Sequence, residues 1–326
     1  MFVREFTDGE DIDQVLIVRE VERRRKRDGE EFLKLQIGDR TGIVSAMIWD
    51  GVTELADVVR AGEAVRVAGR YACHPRYGPQ ITIRALAPAA EGSFSLDDLL
   101  DGPPRAAEHM EADLRQLLAT IQNSHLRSLL ECIFGEGSEL WDGYRQAPAA
   151  KYYHQAYRHG LLEHSLGVAQ AVSAISATFP GIDRDVAVTG ALLHDIGKLE
   201  AYTRDERAID LTDAGRLQGE IPLGYYRIRR TIEDLDGFPA ELAQAVLHII
   251  LSHHGSLEHG SPVLPSTREA TLVHMIDNLG GRLGSFDRLE KELAAGAQWS
   301  SFDRAIGTGA YFAARGAEVE SSRKAA

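Results

Sequence analysis

Over the first 90 residues apolar and polar positions alternate with a period of two, the pattern of half-buried strands. Val15, Ile17 and Val21 alternate with polar neighbours across 12–22, and a charged hairpin follows at Arg27-Asp28-Gly29. Phe32, Leu33, Leu35 and Ile37 make a second strand, stopped by Asp39-Arg40-Thr41-Gly42, and a third covers 43–49. Residues 50–60 read as a short helix ending before Gly62; 64–71 and 80–83 supply two more strands, joined across Pro75, Gly78 and Pro79. From about 107 the period becomes helical, predicting helices over 107–122, 125–134, 137–145, 160–178, 183–197, 216–234, 239–253, 267–282 and 286–293. Asp183 and Ser266 stand as N-caps of two of these. Residues 89–106, rich in Pro, Gly and Ser, read as a linker, and 313–326 as a small, charged, disordered tail.

Three strands, a helix and two strands is the order of an OB-fold barrel. The expected class is therefore α+β and multidomain: an N-terminal β-barrel over 1–88, the linker, and an all-α bundle over 107–312. The Asp-Arg-Thr-Gly turn with Trp49 at the following strand end resembles OB-folds that bind single-stranded nucleic acid. Phe32, Trp49, Tyr71 and Tyr77 are candidate stacking platforms for bases, although Phe32 and Trp49 also suit a barrel core. Arg76 lies in the loop that Tyr71 and Tyr77 flank. Arg25 belongs to the run Arg23-Arg24-Arg25-Lys26-Arg27, which reads either as a phosphate contact or as a solvated tip that blocks edge pairing.

A length of 326 residues suits two domains, and a net charge of −13 at first argues against a nucleic-acid partner. The charge is uneven, however. Residues 1–84 hold 14 basic against 15 acidic side chains, and the remainder 22 against 34. Acidity limits nonspecific adhesion to polyanions without excluding a local basic groove, and an acidic domain can be one whose carboxylates hold metal. No apolar run approaches the ~20 residues of a membrane helix, so no membrane partner is expected. The first residues enter charged sequence without a signal-peptide block. Cys73 and Cys132 are too few for a disulfide framework and wrongly spaced for a zinc finger, so the expectation is a reduced, cytoplasmic setting.

The bundle carries the chemistry. In Leu192-Leu193-His194-Asp195-Ile196-Gly197-Lys198 an imidazole and a carboxylate interrupt an apolar helix, which is costly unless each is paired or holds a metal. Lys198, at i+4 from His194 and i+3 from Asp195, shares their helix face. His164 interrupts Gly160-Leu161-Leu162-Glu163-His164-Ser165-Leu166, His253 and His254 end a helix at Leu251-Ser252-His253-His254-Gly255, and Asp277 sits among Val273, Ile276 and Leu279. Helices that turn imidazoles and carboxylates inward are how bundles build metal sites. His74, His109, His248, His259 and His274 have no such support.

His164, the His194-Asp195 pair and Asp277 resemble, in order, the H…HD…D signature of the HD-domain metal-dependent phosphohydrolases. More closely, the chain resembles the YhaM-type 3′→5′ exoribonucleases, which pair an N-terminal OB-fold with a C-terminal HD domain. The stretches that carry this include Ala149-Ala150-Lys151-Tyr152-Tyr153-His154, the two motifs around His164 and His194, Leu251-Ser252-His253-His254-Gly255, Gly260-Ser261-Pro262 and Ile276-Asp277-Asn278-Leu279. The resemblance spans 5–312. One departure stands out: where the family pattern has Gly-His-Ile, this chain reads Gly219-Glu220-Ile221, and Arg158-His159 replaces the usual small residues.

The resemblance implies that His164, His194, Asp195 and Asp277 hold a first divalent metal. It implies further that Asp195 bridges to a second, completed by Glu220, His253 and His254. Two such ions ~3.5–4 Å apart clamp a phosphodiester and activate water. Mn²⁺ is the expected ion, with Mg²⁺, Co²⁺ or Fe²⁺ as alternatives; Glu220 favours the harder ions if the second site is retained. Asp195 and Lys198, with Lys151 and His154 at the scissile phosphate or the departing oxygen, are the implied catalytic set. The implied function is 3′→5′ hydrolysis of single-stranded RNA, with single-stranded DNA as an alternative substrate and the barrel guiding the strand; a homo-oligomer is compatible with it. Two other readings stay open: a phosphohydrolase of nucleotides or cyclic dinucleotides, and a nucleic-acid-binding protein whose bundle is only a scaffold.

Overall fold

The computed structural model describes residues 1–26, 29–49, 59–74, 78–151, 155–205, 207–291, 293 and 297–313. The expected helix over 50–60, the connection at 75–77 and the tail from 314 lie outside these, apart from Val59 and Arg60. The chain divides into two compact units, Met1–Leu100 together with Arg282–Ala326, and Asp101–Gly281. Residues from 282 onward thus group with the first unit, and the stretch expected as one bundle over 107–312 is divided.

In the first unit β1 (Asp11–Arg25), β2 (Glu31–Asp39), β3 (Gly42–Ile48), β4 (Ala64–His74) and β5 (Gly78–Pro88) close into a barrel in the order β1-β2-β3-β5-β4. The β3–β5 pair is parallel and the others are antiparallel. This is the OB topology. The long β1 makes closure possible: residues 11–17 pair with β4 and 17–25 with β2, with an irregularity between Val18 and Glu20 that lets one strand serve both neighbours. Its period-two apolar positions fill the barrel, with Leu16, Val18, Leu33, Leu35, Ile37, Ala46, Val65, Val67 and Ile81 fully buried. Gly78 and Pro79, expected in a connection, are the first residues of β5, and a short helix α1 (Leu96–Leu99) lies inside the expected linker.

The Asp-Arg-Thr-Gly turn is held by a buried carboxylate. Asp39 Oδ1 accepts from the Thr41 N–H at 2.7 Å and the Thr41 hydroxyl at 2.6 Å, and Oδ2 accepts from the Val3 N–H at 2.6 Å. One side chain therefore closes the β2–β3 turn and ties the N-terminal segment onto the barrel. Asp39→Ala is expected to destabilise this unit by roughly 2–3 kcal/mol, since buried donors to a charged acceptor are left unpaired; urea unfolding read on the barrel amides by hydrogen exchange measures it.

The second unit consists of α2 (Ala107–Ala119), α3 (Ser124–Phe134), α4 (Trp141–Gln146), α5 (Gly160–Ser176), α6 (Arg184–Leu193), α7 (Lys198–Ala201), α8 (Asp213–Gln218), α9 (Glu220–Glu233), α10 (Ala240–Ser252) and most of α11 (Arg268–Lys291). Leu114, Leu129, Phe134, Leu161, Val172, Ala187, Leu193, Ile249 and Val273 meet in one apolar core. Asp183 caps α6 as expected, accepting from the Val186 N–H at 3.1 Å. The cap of α11 is Thr267 rather than Ser266: the Thr267 hydroxyl accepts from the Ala270 N–H, while the Ser266 hydroxyl donates to the Leu264 carbonyl.

Three helix boundaries differ from the periodicity, and each matters below. The helix expected over 183–197 stops at Leu193, and residues 194–197 form turns before α7. The helix expected over 216–234 is broken at Gly219, whose φ of 81° and ψ of 159° suit a residue without Cβ. The two helices expected over 267–282 and 286–293 are one, because packing carries α11 through Gly280, Gly281 and Gly284 despite their cost of about 1 kcal/mol each. The division between the units falls within this helix. Beyond it, β6 (Trp299–Asp303) and β7 (Thr308–Tyr311) form an antiparallel hairpin.

Candidate metal centre

His194 and His253 occupy equivalent local positions. Each is the C-cap of its helix, α6 or α10, where the last-turn carbonyls lack helical partners. His194 Nδ1 lies 2.7 Å from the Ala191 carbonyl, and His253 Nδ1 lies 2.8 Å from that of Ile250. His254 Nδ1 does the same with the His259 carbonyl at 2.8 Å. A carbonyl only accepts, so each Nδ1 carries a proton and each Nε2 points inward.

The inward atoms form two sets. Nε2 of His164, from the middle of α5, is 3.0 Å from Asp277 Oδ1 on α11 and 3.3 Å from His194 Nε2. Asp195, His253 and His254 form the second set. Asp195 belongs to both: its Oδ2 lies 3.5 Å from His164 Nε2 and 3.4 Å from His194 Nε2, and its Oδ1 lies 3.5 Å from His253 Nε2. His164, His194, Asp195 and His253 are each at most 3% exposed. Asp195 Oδ1 and His253 Nε2 are buried without any hydrogen-bond partner. Orphaned polar atoms cost free energy at such depth. A carboxylate oxygen facing an imidazole lone pair is the arrangement a cation between them would satisfy, and the mixed oxygen and nitrogen donors suit a divalent first-row ion. The residues present therefore fit a metal.

Glu220 reaches this region because α9 starts against the turn that follows Asp195. A Cβ on Gly197 would collide with the Glu220 carbonyl and come within 2.5 Å of the Gly224 nitrogen, so the close approach requires glycine there. The break at Gly219 makes Glu220 the first residue of α9, and its Oε1 lies 3.6 Å from His254 Nε2. Lys198 closes the other side. Although it stands in a separate short helix rather than on a continuous face, its Nζ lies 2.5 Å from Asp195 Oδ2.

Burial would drive the Asp195 and Asp277 carboxyls toward the neutral form, but the Lys198 ammonium and the His194 imidazole beside Asp195, and hydrogen bonding of Asp277 with His164 and His194, hold both well below the usual range. Burial likewise opposes charge on His194 and Lys198. Asp195 with Asp277 nevertheless raises the imidazole to about 10, and Asp195 raises the ammonium. His254 is pushed down by burial and then by His253.

Other expected residues fall elsewhere. Lys151 Nζ pairs with Asp210 at 2.7 Å, and Arg216 binds the other oxygen of that carboxylate at 3.0 Å. His154, Arg76 and Tyr77 lie outside the described residues. In the barrel Phe32 and Trp49 stack at 4.8 Å with an angle of 25°, and the Lys26 ammonium stands 5.8 Å from the Trp49 ring. Trp49 is 40% exposed, so it is surface rather than core. Arg25 is exposed and reaches Glu31 at 3.4 Å. Tyr71 packs edge-on against Phe6, and burial raises its phenol to about 12.

Two tyrosines escaped the sequence reading. Tyr144 is fully buried and donates to the Leu192 carbonyl at 2.8 Å, bracing the end of α6. Tyr202, four residues beyond Lys198, has its phenol raised by burial and lies in the field of Lys198, Glu220 and Asp195. Its place just past the metal turn was the available signal.

A helical unit with an H…HD…D set turned inward defines an HD-domain protein, and the family model described as HD domain matches residues 161–281. Over 87% of its length the chain is 31% identical to the 3′-5′ exoribonuclease YhaM of Geobacillus sp. (strain WCH70), covering 86% of that protein. It is 28% identical to the 3′-5′ exoribonuclease YhaM of Bacillus subtilis (strain 168) over 88% of this chain and 90% of that relative. The chain belongs to the YhaM family of HD-domain hydrolases. A solved structure, the second OB-fold domain of replication protein A from Methanococcus maripaludis, is 21% identical over 29% of this chain with a TM-score of 0.23, too slight a likeness to carry an argument. The barrel rests on its own strand order.

Asp195 and Asp277 favour the protonated form of His194, so a cation at its Nε2 would displace a proton. With His194 raised to about 10, the imidazole is protonated throughout the neutral range and must lose that proton before Nε2 can ligate. Apparent Mn²⁺ affinity is therefore expected to rise about tenfold per pH unit between roughly pH 6 and 8.5. Calorimetry in buffers of different protonation enthalpy should show about one proton released per ion, and a pH-independent affinity would contradict the assignment.

Proposed function

We propose that this chain is a metal-dependent 3′→5′ exonuclease of single-stranded RNA. The observation that carries the reading is Asp195, a buried carboxylate whose two oxygens face two separate groups of imidazoles. The relatives named 3′-5′ exoribonuclease match both the barrel and the helical unit, since they cover 86–90% of their own length. His164, His194, Asp195 and Asp277 would hold one ion, and Asp195, Glu220, His253 and His254 another, with Mn²⁺ the expected ion and the carboxylate oxygens its hard donors. The chemistry ions supply there is Lewis-acid polarisation of the phosphodiester and activation of water near neutral pH.

The chain's own residues do the rest. Lys198, nine-tenths buried, keeps a positive charge beside Asp195, which fixes that carboxylate's orientation and offsets charge on a phosphate oxygen. The carbonyls of Ala191, Ile250 and His259 hold the imidazoles in the tautomer that presents Nε2. Lys151 would reach a phosphate of the strand only by leaving its pairing with Asp210. In the barrel the stacked Phe32 and Trp49, with Lys26 and Arg25 nearby, form an aromatic and basic surface for bases and phosphates of any sequence. Single-stranded DNA offers the same stacking faces and is the alternative substrate.

A 5′-labelled single-stranded RNA should shorten from its 3′ end in Mn²⁺ but not in EDTA, and Asp195→Ala should abolish the ladder. Trp49→Ala should raise KM for RNA about tenfold, the loss of one stacking contact, with kcat little changed. Intact RNA in every divalent metal tested would overturn the reading.

A further inference from the structure

His274, which no motif in the chain singles out, is tied to the turn that carries His253 and His254. From α11 its Nδ1 lies 2.8 Å from the His253 carbonyl, and since a carbonyl only accepts, the ring N–H donates there. That carbonyl belongs to the C-cap of α10, one of the groups a helix end leaves without a helical partner. The turn closes through the Gly255 N–H, which donates to the Ser252 carbonyl at 2.8 Å. A Cβ on Gly255 would collide with the His274 ring, so the ring packs directly against the turn and glycine makes that approach possible.

One helix therefore supports both groups of imidazoles. Asp277, three residues beyond His274 on α11, has its Oδ1 3.0 Å from His164 Nε2. His274 instead holds main chain: the His253 ring is oriented by its own bond to the Ile250 carbonyl, and the backbone that bears the ring is anchored by His274. The anchor matters because His253 Nε2 and Asp195 Oδ1 face each other at 3.5 Å with no hydrogen bond to hold either atom in place. We propose that His274 is a positioning residue, whose N–H fixes the His253–His254 turn so that both imidazoles face Asp195. Its consequence for metal binding rests on the two-ion reading above. Loss of the N–H weakens the ion assigned to His253 and His254, and spares the one assigned to His164, His194 and Asp277.

Substitutions in the full chain separate the hydrogen bond from packing. His274→Asn keeps an N–H donor at the same number of bonds from Cα and loses the ring, whereas His274→Phe keeps a ring and loses the donor. His274→Leu matches Asn in shape without a donor and serves if His274→Phe does not fold. Hydrogen exchange of the metal-free protein reads the turn itself. Amides over 253–256 should exchange about tenfold faster in the variants without a donor, and within about threefold of wild type in His274→Asn. Calorimetry with Mn²⁺ should show one of two ions bound about 10–100-fold more weakly in the variants without a donor, with His274→Asn close to wild type. Packing alone predicts the reverse order, His274→Phe intact and His274→Asn impaired. That order, or no difference among the variants, would overturn the proposal. A wild-type chain that binds one ion removes the two-ion reading alone, and the exchange comparison still supports or overturns the role of His274.

Discussion

The structure of the second unit depends on keeping one carboxylate charged in the interior. Asp195 is 2% exposed, and an isolated carboxylate at that depth would take up a proton. It stays ionised because Lys198 lies against one oxygen and imidazoles surround both. Each of those partners imposes a condition on the backbone. His194 and His253 must end their helices so that last-turn carbonyls can fix their rings. The chain must turn between His194 and Lys198 so that the ammonium folds back, and position 197 must lack a Cβ so that α9 can approach.

Such a centre exchanges stability for function. A buried cluster of like and unlike charges contributes little net stability compared with a packed apolar core, yet removing one member leaves the others uncompensated. Loss of Asp195 would therefore disturb Lys198 and His194 together, so its effects on activity are not additive with theirs. The substitution of Glu220 for an imidazole puts an oxygen donor beside His254. It also places a carboxylate in the first turn of α9, where the helix field favours negative charge.

Much of this was legible in the residues. Period-two alternation located all five barrel strands, since each has one face in the barrel and one outside. His164, His194, Asp195, His253 and Asp277 are legible as candidates because a charged or ligating side chain interrupting or ending an apolar helix needs a partner. Other features were not legible, for physical reasons. Periodicity reports which face is buried and not whether hydrogen bonds run unbroken, so the break at Gly219 and the turn at His194–Gly197 were read as continuous helix. The three glycines in α11 suggested a gap that packing closes. The pairing of Lys151 with Asp210 joins residues far apart in the chain, which spacing does not encode. Tyr202 carries no motif; its importance comes from the charges around it.

On the proposed reading the Asp195 carboxylate would serve two ions. Electron paramagnetic resonance of the full chain titrated with Mn²⁺ tests it directly. Two ions per chain with the broadened, spin-coupled signal of a carboxylate-bridged pair are expected, reduced to uncoupled Mn²⁺ or none in Asp195→Asn. A single uncoupled ion in the wild-type protein, or a coupled pair that survives in Asp195→Asn, would contradict the account.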